Sequence, residues 1–343
     1  MDFIFVAVGL AMLFIAGEGA LRGAIGLAQK LGVSPAMIGL TVVGFGTSAP
    51  ELVVTLDAAL QGQSALAIGN VVGSNISNLL LILGVGAVIS PLTCEAGAAK
   101  RDAGMMIGTA IILVALGMTG EIVRWQGAIM VAMLVGILFW SYRCDRRTQK
   151  KAAADKAAAD RAAAEAAAEA GTDPDDIHVK ELEEVGEVPQ NIWVILALNI
   201  VGLAGLLFGA HLLVDGATGI AYRFGVPQSI VGLTLVALGT SLPELAATVV
   251  AALRHHTDVA IANVMGSCVF NVLSILGITA IVQPLVISPD IQAIDLWVML
   301  AASLLVMVLL IRACTIGRFG GAVLLLAYVA YIGSMAVRFV PAI

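Results

Sequence analysis

The chain has 343 residues, of which 60% are hydrophobic and only 12% are charged, and its mean hydropathy is +1.00. This composition excludes a water-soluble globular domain and predicts a polytopic membrane protein. The net charge of −6 gives no indication of nucleic-acid binding, because 12 of the 24 acidic residues lie in one polar stretch between Asp145 and Glu187.

Ten apolar segments are long enough to cross a bilayer core of about 30 Å, which needs roughly 20 helical residues. They cover residues 3–29, 36–60, 65–92, 103–119, 123–142, 192–222, 229–253, 257–284, 293–312 and 319–339. The N-terminus lacks the basic region of a cleaved signal peptide, so the first segment is predicted to be a span of the mature protein. Lys and Arg in the loops then place both termini outside and the stretch 143–190 in the cytosol. The predicted fold class is an all-α polytopic membrane protein with ten transmembrane helices.

The only long polar stretch separates two groups of five spans, residues 1–142 and residues 191–343. Its first part, "KKAAADKAAADRAAAEAAAEAG", is rich in alanine and carries oppositely charged residues four apart, which predicts a charged helix that extends the fifth span into the cytosol. An acidic segment follows. We interpret the stretch as a solvated tether. The alternative is a regulatory cation site at Asp173, Asp175 and Asp176, but no loop-helix ligand register supports it.

An internal repeat relates the two halves of the chain. A shift of 193 residues aligns Gly39–Leu92 with Gly232–Leu285 without a gap, and 28 of the 54 positions are identical. The repeat units are about 36–92 and 229–285. Because each half holds five spans, an odd number, the second copy enters the membrane from the opposite side. Such inverted repeats are typical of transporters that alternate between two access states around a site near the midplane.

Each copy of the repeat contains a proline in an apolar segment, in "GFGTSAPE" at 44–51 and "ALGTSLPE" at 237–244. Pro50 and Pro243 have no N–H to donate to the carbonyl four residues earlier, so each span is predicted to break there. Backbone carbonyls freed inside a membrane need another partner, and a bound cation is one. Hydroxyl and carboxylate side chains surround the two breaks: Thr47, Ser48 and Glu51 in the first, and Thr240, Ser241 and Glu244 in the second.

The next span of each half adds a polar strip with a period of four residues: Asn70, Ser74 and Asn78, then Asn263, Ser267 and Asn271. Gly73 and Gly266 are predicted to let neighbouring backbones come close. Flexible, oxygen-only coordination with two carboxylates suits Ca²⁺ and Na⁺. Structural alternatives remain open: a protonated or locally paired role for the two glutamates, and interhelical hydrogen bonding for the Asn and Ser strips.

Other charged residues in the spans have a more local interpretation. Glu18 and Arg22 occupy positions that match His211 and Asp215 in the second half, and each pair is four residues apart, so we predict local ion pairs. Asp57 has no carboxylate partner in the second repeat and is predicted to line an outer vestibule.

The two blocks "GLTVVGFGTSAPELVVT…GNVVGSNISNLLLILG" and "GLTLVALGTSLPELAAT…ANVMGSCVFNVLSILG" resemble the two α-repeats of the calcium/cation antiporter superfamily, most closely its prokaryotic sodium/calcium exchangers. The resemblance implies that the two glutamates bind Ca²⁺ and share Na⁺, and that the residues around them complete the ion site. By this resemblance the metal ligands are Glu51, Glu244, Thr47, Ser48, Thr240, Ser241, Ser74, Ser267, Asn78 and Asn271. Family members often carry an aspartate in one repeat where this chain has asparagine in both, Asn78 and Asn271, which leaves two carboxylates rather than three.

The implied function is Na⁺/Ca²⁺ antiport by alternating access, with the two ions as substrates, the lipid bilayer as surroundings and no cofactor. A Ca²⁺/H⁺ antiporter that uses the same glutamates is the nearest alternative, and a cation channel is another. An enzyme is not predicted, because no nucleophile–base pair occurs within the spans. The compact loops favour a bacterial inner membrane.

Overall fold

The computed structural model describes residues 1–170, 189, 191–224 and 239–339. The chain is a polytopic membrane protein and mostly helical, at 87%. The alternative cation site at Asp173, Asp175 and Asp176 lies outside the described residues. In the first half the helices are α1 (Asp2–Leu31), α2 (Pro35–Ile38), α3 (Gly44–Thr47), α4 (Ala49–Leu60), α5 (Ser64–Ile76), α6 (Leu83–Ile89), α7 (Ala96–Gly117) and α8 (Arg124–Ala170). In the second half they are α9 (Ile192–Arg223), α10 (Leu242–Leu253), α11 (Thr257–Phe270), α12 (Gly277–Val282), α13 (Leu296–Ala313) and α14 (Arg318–Phe339).

Short π-helical turns interrupt several of these helices. They cover Gly39–Val43, Ser77–Ile82, Asn271–Leu276 and Ile291–Asp295. The second and third follow α5 and α11 directly, six residues each, and begin one residue before Asn78 and at Asn271. Single π turns inside α-helices are frequent at functional sites, and here they flank the polar strips of both repeats.

Seven helices within the described ranges are long and apolar enough to cross a membrane, or eight if the bent pair Pro35–Thr47 and Ala49–Leu60 forms one span. The helix α7 is not among the seven, because Lys100, Arg101 and Asp102 lie in its first two turns. The predicted seventh span begins at residues that the structure does not describe. As predicted, α8 runs through the alanine-rich stretch as far as Ala170.

The long helices α1 and α9 pack against each other in antiparallel directions through small residues. A side chain at Gly9 would meet the carbonyl oxygen of Gly209 at 2.8 Å, and one at Gly202 would meet the backbone nitrogen of Ala20 at 2.5 Å. Glycine therefore allows the two backbones to approach more closely than any other residue would, which is the usual means of close contact between membrane helices.

Two pairs of short strands join the halves of the chain. Strand β1 (Leu92–Thr93) pairs with β4 (Thr315–Ile316), and β2 (Glu121–Ile122) pairs with β3 (Leu285–Val286), both antiparallel. The shift of 193 residues carries Leu92 onto Leu285, so β1 and β3 are equivalent positions of the two repeats. Each half of the chain therefore contributes one strand to each of the two pairs.

Asp145, on α8, fixes the position of the residue that precedes α2, Ser34. Its Oδ2 accepts from the Ser34 backbone N–H at 2.7 Å, its Oδ1 accepts from the Ser34 hydroxyl at 2.7 Å, and the Ser34 Oγ in turn accepts from the Met37 N–H at 3.1 Å. Both side chains are buried. Ser34 is therefore an N-cap whose own hydrogen bonds are completed by a carboxylate from another helix.

We expect Asp145→Ala to lower the free energy of unfolding by about 2 kcal/mol, because it removes two buried, charge-assisted hydrogen bonds. The thermal midpoint of the purified protein measures the effect. Asp155→Ala, an exposed aspartate of the same helix, is the control and should leave the midpoint unchanged. Equal midpoints for both variants would show that the Asp145 contact does not stabilise the fold.

Candidate functional site

The first break of the repeat lies where the sequence predicts it. Helix α3 ends at Thr47 and α4 begins at Ala49, with Ser48 between them at φ −81° and ψ 6° and a bend of 42°. In the second repeat, Ser241 precedes α10 at φ −89° and ψ 2°. Two serines at equivalent positions therefore adopt the same non-helical conformation, each two residues before a proline.

The two glutamates occupy the first turns of the helices that follow these breaks. Glu51 is 1% exposed and Glu244 is 0% exposed. Ser48 donates a hydrogen bond through its hydroxyl to Glu244 Oε1 at 3.1 Å, and Glu51 faces Thr240 and Ser241. Each carboxylate therefore contacts the break of the other repeat.

Several oxygen atoms of this site have no hydrogen-bond partner among the described residues. They are Glu51 Oε2, Glu244 Oε2, Asn78 Oδ1, Asn271 Oδ1 and Thr240 Oγ1. All belong to buried or half-buried side chains, and leaving a carboxylate oxygen unsatisfied away from water is costly. A hard cation bound between them would satisfy these oxygens, so the donor set fits Ca²⁺ and Na⁺.

The first asparagine of each polar strip donates a hydrogen bond through its amide nitrogen to a threonine. Asn70 donates to Thr55 Oγ1 at 3.0 Å, and its counterpart Asn263 donates to Thr248 Oγ1 at 3.3 Å. Neither threonine was predicted from the sequence. Each follows a glutamate of the site by four residues, one helical turn, and the two match across the repeat, which is a signal that could have identified them.

The remaining predicted residues lie around the same centre. Thr47 and Ser267 donate to one carbonyl oxygen, that of Gly44, each at 3.4 Å. Ser74 and Ser241 line a cavity of about 550 Å³ that continues past Asn70 and Ser77 to Ser288 and Asp290. The structure therefore places hydroxyl side chains of each break against the glutamate of the opposite repeat, and it joins Thr47 of the first repeat and Ser267 of the second at one carbonyl oxygen.

No group of three or more His, Cys, Asp or Glu side chains within the described ranges is arranged to hold a metal ion. The carboxylates placed at this site are Glu51 and Glu244, and the other side chains near them offer neutral oxygens. Two negative charges match one divalent cation or two monovalent ones.

Two pairs of ionisable side chains outside the centre form locally, as predicted. Glu18 and Arg22 are 2.9 Å apart, and His211 and Asp215 are 3.3 Å apart. Glu18 makes a second ion pair, at 2.7 Å, with Arg254 at the end of α10, which the sequence did not reveal. Asp57 is exposed, accepts a hydrogen bond from Gln61 at 2.7 Å, and is not a lining residue of the cavity described above.

Comparison with known proteins gives consistent matches over nearly the whole chain. The family model described as sodium/calcium exchanger protein matches residues 1–143 and 194–337. The sodium/calcium exchanger MaX1 of Methanosarcina acetivorans is 32% identical over 97% of this chain and 97% of its own. The inner membrane protein YrbG of Escherichia coli is 30% identical over 87% of this chain and 85% of its own. The structure of the sodium-calcium exchanger NCX_Mj soaked with zero Na⁺ and Ca²⁺ superposes with a TM-score of 0.78, at 26% identity, over 97% of this chain and 98% of that one.

Proposed function

The chain belongs to the sodium/calcium exchanger protein family, and from this premise we propose that it is a secondary active antiporter that exchanges Na⁺ for Ca²⁺ at one shared site. The observation that carries the proposal is the pair Glu51 and Glu244. Both are buried, each faces the break of the opposite repeat, and each has one oxygen without a partner among the described residues. The family is one of transporters, so no catalytic residue is assigned.

The proposed ligands are the oxygens that surround this pair. Glu51 and Glu244 bind Ca²⁺ directly and are shared by Na⁺. The hydroxyl or backbone oxygens of the breaks and the side-chain oxygens of the strips complete the coordination: Thr47, Ser48, Thr240, Ser241, Ser74, Ser267, Asn78 and Asn271. Oxygen atoms at about 2.3–2.6 Å in a flexible arrangement are what Ca²⁺ requires.

The charge of the site provides the coupling. Two carboxylates in a dry site cannot cross between access states without a counter-charge, because an uncompensated charge in the membrane costs at least about 2.5 kcal/mol. The protein therefore changes state only when loaded with one Ca²⁺ or with Na⁺ ions. Because both ions use the same oxygens, binding of one displaces the other.

We propose that the fold has ten transmembrane helices in two inverted repeats. Support comes from the reciprocal pairing of β1 with β4 and of β2 with β3, and from the matching backbone of Ser48 and Ser241.

Helices α1 and α9, which pack closely on each other, form the gate that moves against the site. The protein is placed in a bacterial inner membrane with both termini outside and residues 143–190 in the cytosol, in agreement with the loop charges.

A Ca²⁺/H⁺ antiporter is the second candidate, and the carboxylate count is the observation that favours it. The site holds two carboxylates, with Asn78 and Asn271 where other family members often have an aspartate. Two protons would neutralise these glutamates as two Na⁺ ions would.

Uptake of ⁴⁵Ca²⁺ into proteoliposomes separates these candidates. We expect vesicles loaded with Na⁺ to accumulate Ca²⁺ from a Na⁺-free medium, and vesicles loaded with choline to accumulate little. Uptake driven by an acidic interior alone would replace Na⁺ by H⁺ as the coupling ion. Equal uptake with and without any gradient would identify a channel and overturn the proposed antiport.

A further inference from the structure

The two asparagine ligands are held by residues at one pair of equivalent positions, Asn75 in the first repeat and Cys268 in the second. Both are almost fully buried, at 3% and 2% exposed. They lie against each other where α5 crosses α11. Asn75 Nδ2 donates to the Cys268 carbonyl oxygen at 3.3 Å, and the Cys268 thiol lies 4.0 Å from the Asn75 carbonyl oxygen. This reciprocal contact is the pattern expected at a pseudo-twofold axis.

Each of these residues contacts the asparagine of the opposite repeat. Asn271 donates through Nδ2 to Asn75 Oδ1 at 3.0 Å. In the equivalent contact, the Asn78 side chain lies beside the Cys268 thiol. The side-chain oxygens of Asn78 and Asn271 are the atoms left without a partner among the described residues. The neighbours at 75 and 268 therefore contact these two amides, whose oxygens remain without a partner among the described residues.

The two neighbours differ in hydrogen-bonding strength. An amide oxygen is a good acceptor, whereas a thiol sulfur is a weak one. Asn271 is consequently held through its Nδ2 by a strong acceptor, which leaves its Oδ1 available, whereas the Asn78 amide has the weaker sulfur as its neighbour. From this difference we infer that Asn75 is a positioning residue for the ligand Asn271, and that Cys268 leaves Asn78 the weaker ligand, so that residues 75 and 268 together set the affinity for Ca²⁺. This inference rests on the proposed function and deepens it.

The surroundings of the two positions make an exchange of residues feasible. Asn75 Nδ2 also lies 3.7 Å from Met299 Sδ, on α13. The shift of 193 residues carries Met299 onto Met106, a buried methionine of α7, and α7 packs against α11, the helix that carries Cys268. An asparagine at position 268 would therefore lie on a helix that packs against the helix carrying the matching methionine.

Three variants test the inference: Asn75→Cys, Cys268→Asn and the double exchange. The readout is the half-saturating Ca²⁺ concentration for uptake into proteoliposomes loaded with Na⁺, measured beside the maximal rate and the amount of folded protein. We expect Asn75→Cys to raise half-saturation about tenfold and Cys268→Asn to lower it several-fold, as the loss or gain of about one buried hydrogen bond implies. The double exchange, which moves the strong acceptor to the other repeat, should return to within about threefold of the unchanged protein.

A structural role alone would change the yield of folded protein or the maximal rate and leave half-saturation unchanged, and this result in Asn75→Cys would overturn the inference. If Asn75→Cys does not fold, the Cys268→Asn variant tests the inference instead. An apparent affinity for Ca²⁺ that is unchanged or weaker in this variant contradicts the role of residue 268. Failure of the proposed function is a separate result, because then the unchanged protein itself shows no Na⁺-driven Ca²⁺ uptake.

Discussion

Neutralising either glutamate of the shared site should abolish Ca²⁺ transport. We expect Glu51→Gln and Glu244→Gln each to reduce Na⁺-driven ⁴⁵Ca²⁺ uptake by about 100-fold, the factor that corresponds to roughly 3 kcal/mol for the loss of a charged, buried ligand. Glutamine keeps one oxygen and nearly the same volume, so the effect reports the charge. Both side chains are buried and face opposite breaks, which predicts losses of similar size.

Glu121→Gln is the matched control for these variants, because Glu121 is an exposed glutamate of a loop strand. It should transport Ca²⁺ as the unchanged protein does. Size-exclusion profiles of all three variants establish whether they fold. A folded Glu51→Gln or Glu244→Gln protein that retains most of its uptake would contradict the assignment of that glutamate as an ion ligand.

Adding a methyl group at Gly266 should disrupt the packing between the two repeats. In helix α11, an ideal Cβ at this position would overlap the carbonyl oxygen of Leu40 and lie 2.8 Å from its carbonyl carbon. These are backbone atoms of the π turn Gly39–Val43 and cannot rotate away. We expect Gly266→Ala to destabilise the protein by about 3 kcal/mol or more, at the upper end for overpacked sites, and to remove most of the folded fraction on size exclusion.

Gly69→Ala provides the same chemical change where there is space. In helix α5 a Cβ at Gly69 would meet Ile291 Cδ1 at 3.7 Å, an ordinary contact. This variant should keep the thermal midpoint and the elution profile of the unchanged protein. If Gly266→Ala proves as stable as Gly69→Ala, the close approach of α11 to Leu40 is not a requirement of the fold.

Local rules were sufficient to predict the elements of the site. Proline at positions 50 and 243 removes a helical hydrogen bond wherever it occurs, so the breaks at Ser48 and Ser241 followed from the sequence. The spacing of four residues placed Asn70, Ser74 and Asn78 on one helix face. The repeat itself indicated that both halves contribute equivalent side chains. The resemblance of the motifs to a known family added the identity of the ions.

Contacts between the repeats could not be predicted in the same way. Ser48 and Glu244 are 196 residues apart, as are Asn75 and Asn271, and such pairs depend on how two repeats pack rather than on the periodicity of either helix. From the sequence, Gly73 and Gly266 were therefore both predicted to let a neighbouring backbone come close. The structure shows close approach at Gly266, whereas no described atom lies within 4 Å of a Cβ at Gly73.

The most direct test of a shared site is the binding of Ca²⁺ to the purified protein in detergent at increasing Na⁺ concentrations, measured with ⁴⁵Ca²⁺ at equilibrium. Competition for the same oxygens predicts one Ca²⁺ bound per chain without Na⁺, progressive displacement as Na⁺ rises at constant ionic strength, and no specific binding by Glu51→Gln. Choline at the same concentrations should displace none. Ca²⁺ that stays fully bound at saturating Na⁺ would contradict the shared site and, with it, the proposed mechanism of exchange.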